Sequence, residues 1–434
     1  MLSKIRKTLE KAFFPQLNIP GAFPHSPTIS PEETRLVAEL LEKDAKEHHI
    51  FFNDRGFHNH LTHMLLADYS LGASTKRLKE VYKQEDQIQR PKLPKHKDFK
   101  WTEHLGEKEY YSDYLDFMIG EVEKLGRVGA VEKYAFDEQY SMLARFLAGI
   151  YHPFIHIGYG LEFGIDDMVA EGLAQMCVHE DLNKALILQE IKMSKSSNTT
   201  PLELAKAMIE DKRFDGIIKP GTPGMYRTFY ETKPELILGY VEKWSLSLDK
   251  EELLDKIREL MILDVAVYVG PQRPDKEIVL DFYLMHALTS SLFLPVMVQQ
   301  LSPKLGMRLL RGKFAMDLAH FAGRNRPKLY MEQFTSTTEF TRSWDEIIEL
   351  AVHHADEHVP KVVRALKQVE RWDPEETLGK GVYRAIASMT VDNVVTFDEG
   401  EKDGKRCWNF DCVGFEETWE KIPERKKPSI ADLS

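Results

Sequence analysis

Ser30-Pro-Glu-Glu-Thr-Arg-Leu-Val-Ala-Glu-Leu-Leu-Glu-Lys43 reads as a helix from its first residue. Ser30 is a natural N-cap, and Glu33 stands where a capping box needs a carboxylate to reach back to the cap. Apolar residues then recur three and four apart. The same spacing returns over 60–72, 113–125, 138–151, 163–178, 201–210, 250–268, 278–300, 306–321, 344–354 and 361–370. Strand-like alternation is scarce. Its best candidates are Ile386 to Phe397 and Trp408 to Val413, and neither alternates cleanly. The expectation is a mainly α protein: a single large multi-helix domain over 1–434 with at most a minor β element near the C-terminus. Lys219-Pro-Gly-Thr-Pro-Gly is the clearest break, so two helical halves could meet near 219–224. The histidines of interest lie on both sides of it, which favours one packed unit.

Bulk properties remove several function classes. With 434 residues, 43% of them hydrophobic, the chain can bury a large core. A formal net charge of −11 argues against general nucleic-acid binding. The densest basic stretch, Lys79 to Lys100, is diluted by Glu80, Glu85, Asp86 and Asp98 and reads as a solvated loop. Three cysteines without CxxC spacing give neither a disulfide framework nor a thiolate zinc site, and suit a reducing, cytoplasmic setting. The amphipathic N-terminus lacks the features of a signal peptide, and no apolar run reaches 18 residues, so no membrane span is expected.

Four segments carry candidate chemistry. In Phe57-His-Asn-His-Leu-Thr-His63, His60 and His63 share a helical face, and His58 points elsewhere. In Tyr151-His-Pro-Phe-Ile-His-Ile-Gly-Tyr-Gly160, His152 and His156 are four apart, with Pro153 suited to a first helical turn. His286 sits in the strongly apolar Asp281-Phe-Tyr-Leu-Met-His286-Ala-Leu-Thr-Ser-Ser291, where a buried imidazole must hydrogen-bond or ligate. The fourth is His353-His-Ala-Asp-Glu-His358-Val-Pro-Lys361, in which Lys361 follows His358 by three. A lysine facing an apolar wall either pairs with a carboxylate such as Asp356 or Glu357, loses its proton, or is modified, for example to a carbamate. Taken singly, each histidine is as well explained by core hydrogen bonding. Together, imidazoles without thiolates suit iron, copper, nickel or zinc, and an anionic further ligand would offset the ion's charge. No HExxH, GxSxG, P-loop or GxGxxG pattern is present.

These blocks, in this order, resemble the questin oxidase-like family: Phe57 to His63 with Leu71-Gly-Ala-Ser74, the His152 to Glu162 segment, Asp281 to Ser291, and His358 to Leu366. The tail Trp408-Asn-Phe-Asp-Cys-Val-Gly-Phe-Glu-Glu-Thr-Trp419 also resembles the family. The resemblance implies an oxygenase of polyketide secondary metabolism that opens the central quinone ring of anthraquinones such as questin. It implies two alternative chemistries. One is a Baeyer–Villiger oxidation supported by NADPH. The other is a non-haem Fe(II) oxygenase using O2, several histidines and a carboxylated lysine. Carried onto this chain, the metal-binding and catalytic residues would be His60 or His63, then His156, His286, His358 and Lys361, with His152 as a substitute for His156. The implied partner is a small aromatic polyketide. Phe154, Tyr159, Phe282, Tyr283, Met285 and Phe293 are available to contact it, and Asn59, Glu162 and Thr289 to orient ligands. A histidine-rich zinc hydrolase and a non-catalytic helical scaffold are the rival classes.

Overall fold

The computed structural model describes residues 19–188, 198–221, 226–335, 339–395 and 407–425. The amphipathic N-terminus and the 399–405 turn lie outside them, as does part of the 219–224 break. Among the described residues the architecture is helical, and β pairing is limited to isolated bridges such as Asp281 with Asn409. The longer helices are α1 (Pro31–Glu47), α2 (Leu61–Leu71), α3 (Thr75–Asp86), α4 (Tyr111–Tyr134), α5 (Ala148–Phe163), α6 (Asp166–Cys177), α7 (Lys250–Val269), α8 (Phe282–Ser291), α9 (Pro303–Gly323), α10 (Val359–Trp372) and α11 (Val382–Asn393). The capping box at Ser30 and Glu33 is formed.

Four helices make a closed circuit: α2 packs on α5, α5 on α8, α8 on α10, and α10 back on α2. Every residue of α2 is buried, and α8 is buried except at Tyr283. That explains their weak amphipathicity: a helix surrounded by protein has no solvated face. Close approach of α5 to its neighbours needs small residues. A Cβ on Gly158 would lie 2.3 Å from Phe293 Cγ, and one on Gly172 of α6 would lie 2.5 Å from Ile157 Cγ1.

Two readings of the sequence are corrected. The strand candidate Ile386–Phe397 is helical as far as Asn393, in α11, and its last two residues lie outside the described set. Its β-branched residues are buried against α10, and tertiary packing overrides a weak local preference. Thr390 adapts by donating to the Ile386 carbonyl one turn back at 2.9 Å. The supposed loop from Lys79 begins inside α3, where Leu78, Val81 and Tyr82 face the core and Ser74 caps the helix.

Candidate metal centre

His60 is the N-cap of α2, and Asn59 Oδ1 accepts the Leu61 N–H at 2.9 Å to start that helix. His152 follows a left-handed turn at Gly149, Ile150 and Tyr151, with φ of 55°, 54° and 65°. Glycine adopts that conformation freely. Each of the two larger residues gives up about 1–2 kcal/mol for it, and such strain gathers at functional sites. His286 lies in the middle of α8, whose N-cap Asp281 accepts the Tyr283 and Leu284 N–H groups and pairs with Arg324. His358 is the N-cap of α10. Its backbone N–H donates to Asp356 Oδ1, which the Trp408 indole also grips at 2.9 Å.

The four imidazoles form a closed ring. Centroid separations are 4.9 Å for His60–His152, 5.1 Å for His152–His286, 5.2 Å for His286–His358 and 4.9 Å for His358–His60. For comparison, metal–nitrogen bonds of roughly 2.1 Å place imidazole centroids at right angles on one ion about 4.5 Å apart.

Proton placement sharpens this. His60 Nδ1 lies 3.0 Å from Glu357 Oε1, His152 Nδ1 lies 2.6 Å from the Gly149 carbonyl, and His286 Nδ1 lies 2.7 Å from the Phe282 carbonyl. Oxygens of this kind only accept, so all three rings carry their proton on Nδ1 and leave Nε2 as a bare lone pair. His60 Nε2 and His152 Nε2 nevertheless face each other at 2.6 Å, and His286 Nε2 is buried with no partner. Both ring nitrogens of His358 also lack an aligned hydrogen bond, although Nδ1 lies 3.3 Å from Glu357 and Asp356 carboxylate oxygens. Burial lowers all four imidazole pKa values, Lys361 adds to it in each, and neighbouring histidines add to it for His60, His152 and His286; His358 falls to about 3 against the pull of Glu357. Neutral, lone-pair-bearing nitrogens aimed at one another are the donor set a cation needs, and His60, Glu357 and His358 place one ligand atom each within 4.8 Å of the others. An iron(II) ion, or another borderline divalent metal, fits these residues.

Lys361 lies on the next turn of α10 after His358 and is buried, and the Asp356 and Glu357 carboxylates each lie 3.3 Å from His358 Nδ1. Burial lowers its amine to about 8 against the pull of Glu357, Asp356 and Glu85.

The structure places the remaining sequence candidates around this ring. His63 Nε2 donates to His156 Nδ1 at 3.0 Å, and His156 Nε2 reaches Glu171 at 3.0 Å. Both nitrogens of His156 are therefore engaged one layer back, and His152 occupies the place in the ring. His63 Nδ1 is buried and unpartnered. His58 does not point away: its ring stacks on His152 at 3.9 Å and its Nε2 meets His179 Nε2 at 2.8 Å. His179 and Glu171 carry no distinguishing signal in the sequence, and Glu357, which suggests itself there only as a partner for Lys361, meets His60 instead. Asn59 bonds Asp44, Glu162 pairs with Arg364, and Thr289 reaches only Met285 Sδ and the His286 carbonyl, so none of them touches a ring nitrogen of the site.

A cavity of about 430 Å³ opens on one side of the ring, with His58, His60 and His152 in its wall. Phe51, Tyr226, Tyr230, Phe282, Tyr283 and Phe410 supply aromatic surface. Phe154, Tyr159, Met285 and Phe293 pack in the core instead.

The sequence model of the questin oxidase-like family matches residues 57–366, which contain the whole ring and Lys361. The chain belongs to the questin oxidase-like family. Among its relatives, a Baeyer–Villiger monooxygenase of a Cryptosporiopsis species is 31% identical, over 91% of this chain and 93% of its own. A Baeyer–Villiger oxidase of Pestalotiopsis microspora is 29% identical, over 92% and 96%. A questin oxidase of Aspergillus fumigatus is 28% identical, over 88% and 92%. Membership in this family of oxidases makes the chain an oxidoreductase. No single helix among the described residues is long and apolar enough to cross a membrane.

Proposed function

We propose that this chain uses dioxygen to cleave a carbon–carbon bond of the central quinone ring in a polyketide anthraquinone of the questin type, at a non-haem iron(II) ion. The observation that carries the metal is the convergence of His60, His152 and His286, whose Nδ1 atoms each meet an oxygen acceptor while two of their Nε2 atoms face each other at 2.6 Å and the third is buried without a partner. Two lone pairs at that distance repel unless a cation binds both nitrogens. The substrate class is supported by the relatives named questin oxidase and by the aromatic cavity beside the ring.

His60, His152, His286 and His358 would hold the ion. Four neutral imidazoles leave its two positive charges uncompensated. Glu357, bonded to His60 Nδ1, offsets part of that and fixes the ring's tautomer. Lys361, as a carbamate, would supply an anionic oxygen. Its neutral nitrogen adds carbon dioxide, and the proton released passes to one of the carboxylates nearby. When bound, iron(II) supplies the one-electron chemistry that lets dioxygen react with a closed-shell ring. The rest is the chain's own work. Phe282 and Tyr283 bound the cavity next to the ring. His58 stacks on one face of the His152 ring and fixes its orientation.

A second reading follows the relatives named Baeyer–Villiger oxidase or monooxygenase: one oxygen atom enters beside a ring carbonyl, with NADPH as reductant. Incubation of iron-loaded protein with questin under labelled dioxygen separates the readings. Ring opening with two labelled atoms and no NADPH requirement supports the first. One labelled atom with matched NADPH oxidation supports the second. Absence of oxygen uptake sinks both readings, and failure of the protein to retain iron sinks the first.

A further inference from the structure

A second buried polar assembly lies behind the cavity wall, joined to the imidazole ring only through the backbone, where Tyr151 precedes His152 and Lys313 reaches the Ala287 carbonyl. Tyr230 lines the cavity, and its hydroxyl is 2.7 Å from His320 Nε2. His320 Nδ1 is 2.8 Å from the Tyr151 hydroxyl, which donates to Asp317 Oδ1 at 2.7 Å. Asp317 Oδ1 is also held by Lys313 Nζ at 2.6 Å, and the same ammonium group reaches Asp264 at 3.0 Å. Lys313, Asp264, Asp317 and His320 are buried.

The acceptors fix the direction of every proton. Tyr151 donates to Asp317, so its oxygen accepts from His320 Nδ1–H. His320 Nε2 is then a lone pair and accepts from Tyr230 O–H. Burial holds His320 near a pKa of about 3, so the ring is neutral and carries the single proton this order requires. All the donors point inward, from the cavity to the carboxylate. At the inner end one lysine stands between two carboxylates. With both carboxylates ionised the group would carry one net negative charge, which burial disfavours, so Asp264 is raised well above the ordinary range and Asp317 upward, and the pair readily takes up a proton.

We propose that Tyr230 removes a phenolic proton from a bound hydroxyanthraquinone and that His320 and Tyr151 relay it to Asp317. The substrate O–H bond breaks and its proton joins the Tyr230 oxygen. The Tyr230 proton passes to His320 Nε2, the Nδ1 proton to Tyr151, and the Tyr151 proton to Asp317 Oδ1. One negative charge moves from Asp317 to the substrate phenolate, and no electrons are transferred. Tyr230 touches the substrate; the other three are positioning residues that act through it. An electron-rich phenolate is the form of such a ring that yields an electron to an oxidant most readily. The inference rests on the hydroxyanthraquinone reading above but not on oxygen chemistry.

The test is anaerobic titration of the holoprotein with emodin, at a pH where the free dye is its neutral yellow form. Ionised hydroxyanthraquinones absorb at longer wavelength. The wild-type protein should turn the bound dye to the phenolate spectrum. Tyr230→Phe, which keeps the ring and removes only the hydroxyl, should bind emodin within about threefold of wild type and leave it yellow. Asp317→Asn, which keeps a hydrogen-bond acceptor but cannot take up the proton, should do the same. Melting curves report that both variants are folded. A phenolate spectrum retained in Tyr230→Phe, emodin bound yellow by the wild type, or no binding of emodin to the wild type overturns the proposal. Oxygen uptake, measured in parallel, keeps the two readings apart. A colour change without uptake leaves the relay standing and removes ring cleavage. Uptake with the phenolate retained in Tyr230→Phe does the reverse.

Discussion

His152→Ala and His156→Ala separate the tertiary arrangement from the sequence pattern, because either histidine suits the motif and only His152 lies in the ring. Ligand binding stabilises a folded protein by mass action: at a free metal concentration one thousand times Kd the gain is about 4.1 kcal/mol. Unfolding entropy of about 2.1 cal/mol/K per residue gives roughly 0.9 kcal/mol/K for 434 residues. The melting temperature of the wild type should then rise by roughly 4–5 °C when iron(II) is added anaerobically. Loss of one of four imidazole donors weakens the site by about a hundredfold, taking the same metal concentration to ten times Kd and the gain to about 1.4 kcal/mol. His152→Ala should therefore shift by less than about 2 °C. His156 touches His63 and Glu171 and no member of the ring by hydrogen bond, so His156→Ala should keep most of the wild-type shift. Differential scanning fluorimetry under nitrogen, with metal analysis of the same samples, reads both. Equal shifts in wild type and His152→Ala, or loss of the shift in His156→Ala alone, refutes the arrangement of donors.

Three further outcomes are expected. Imidazoles of ordinary pKa near 6.5 lose about threefold in neutral fraction between pH 7 and 6, so four of them would weaken metal binding roughly a hundredfold. Burial lowers all four here, which keeps them neutral as the pH falls through that window, so a competitive metal titration should show less than about a tenfold loss; a hundredfold loss would mean the rings are solvated. Lys361→Met keeps the stem and removes the nitrogen. It should abolish a carbamate carbon resonance that wild-type protein acquires from labelled bicarbonate, and a wild-type spectrum without that resonance counts against the modification. Gly158→Ala puts a methyl 2.3 Å from Phe293 Cγ and should cost about 1–3 kcal/mol in urea denaturation; a neutral result would show that α5 can move away from Phe293.

Much of the helical frame was legible because its signals are local. The capping box at Ser30 and Glu33 and the three-and-four spacing of 250–268 are properties of neighbouring residues, and the helices formed there. Local pattern and burial diverge at three places. Ile386 to Asn393 has strand-like composition, yet it is a helix because α10 offers a surface to bury against. Lys79 to Lys100 looks like a solvated loop by charge content, yet its first residues continue α3 and Val81 and Tyr82 are core residues. Helical spacing points His58 away from the site. The helix begins only at Leu61, and the irregular backbone before it turns His58 onto His152.

By itself the sequence determined the residue types and their order: imidazoles without thiolates, apolar helices around them, and a lysine three positions after His358. Those features depend on composition and local spacing. Only the tertiary structure decided which nitrogens converge. Facing ring nitrogens come from helices 92 residues apart in the chain, and the tautomer of each ring is set by an oxygen it meets through folding, such as Glu357 Oε1 for His60, 297 residues away. The choice of His152 over His156 follows from the left-handed turn at Gly149, Ile150 and Tyr151, a backbone conformation that spacing alone does not reveal.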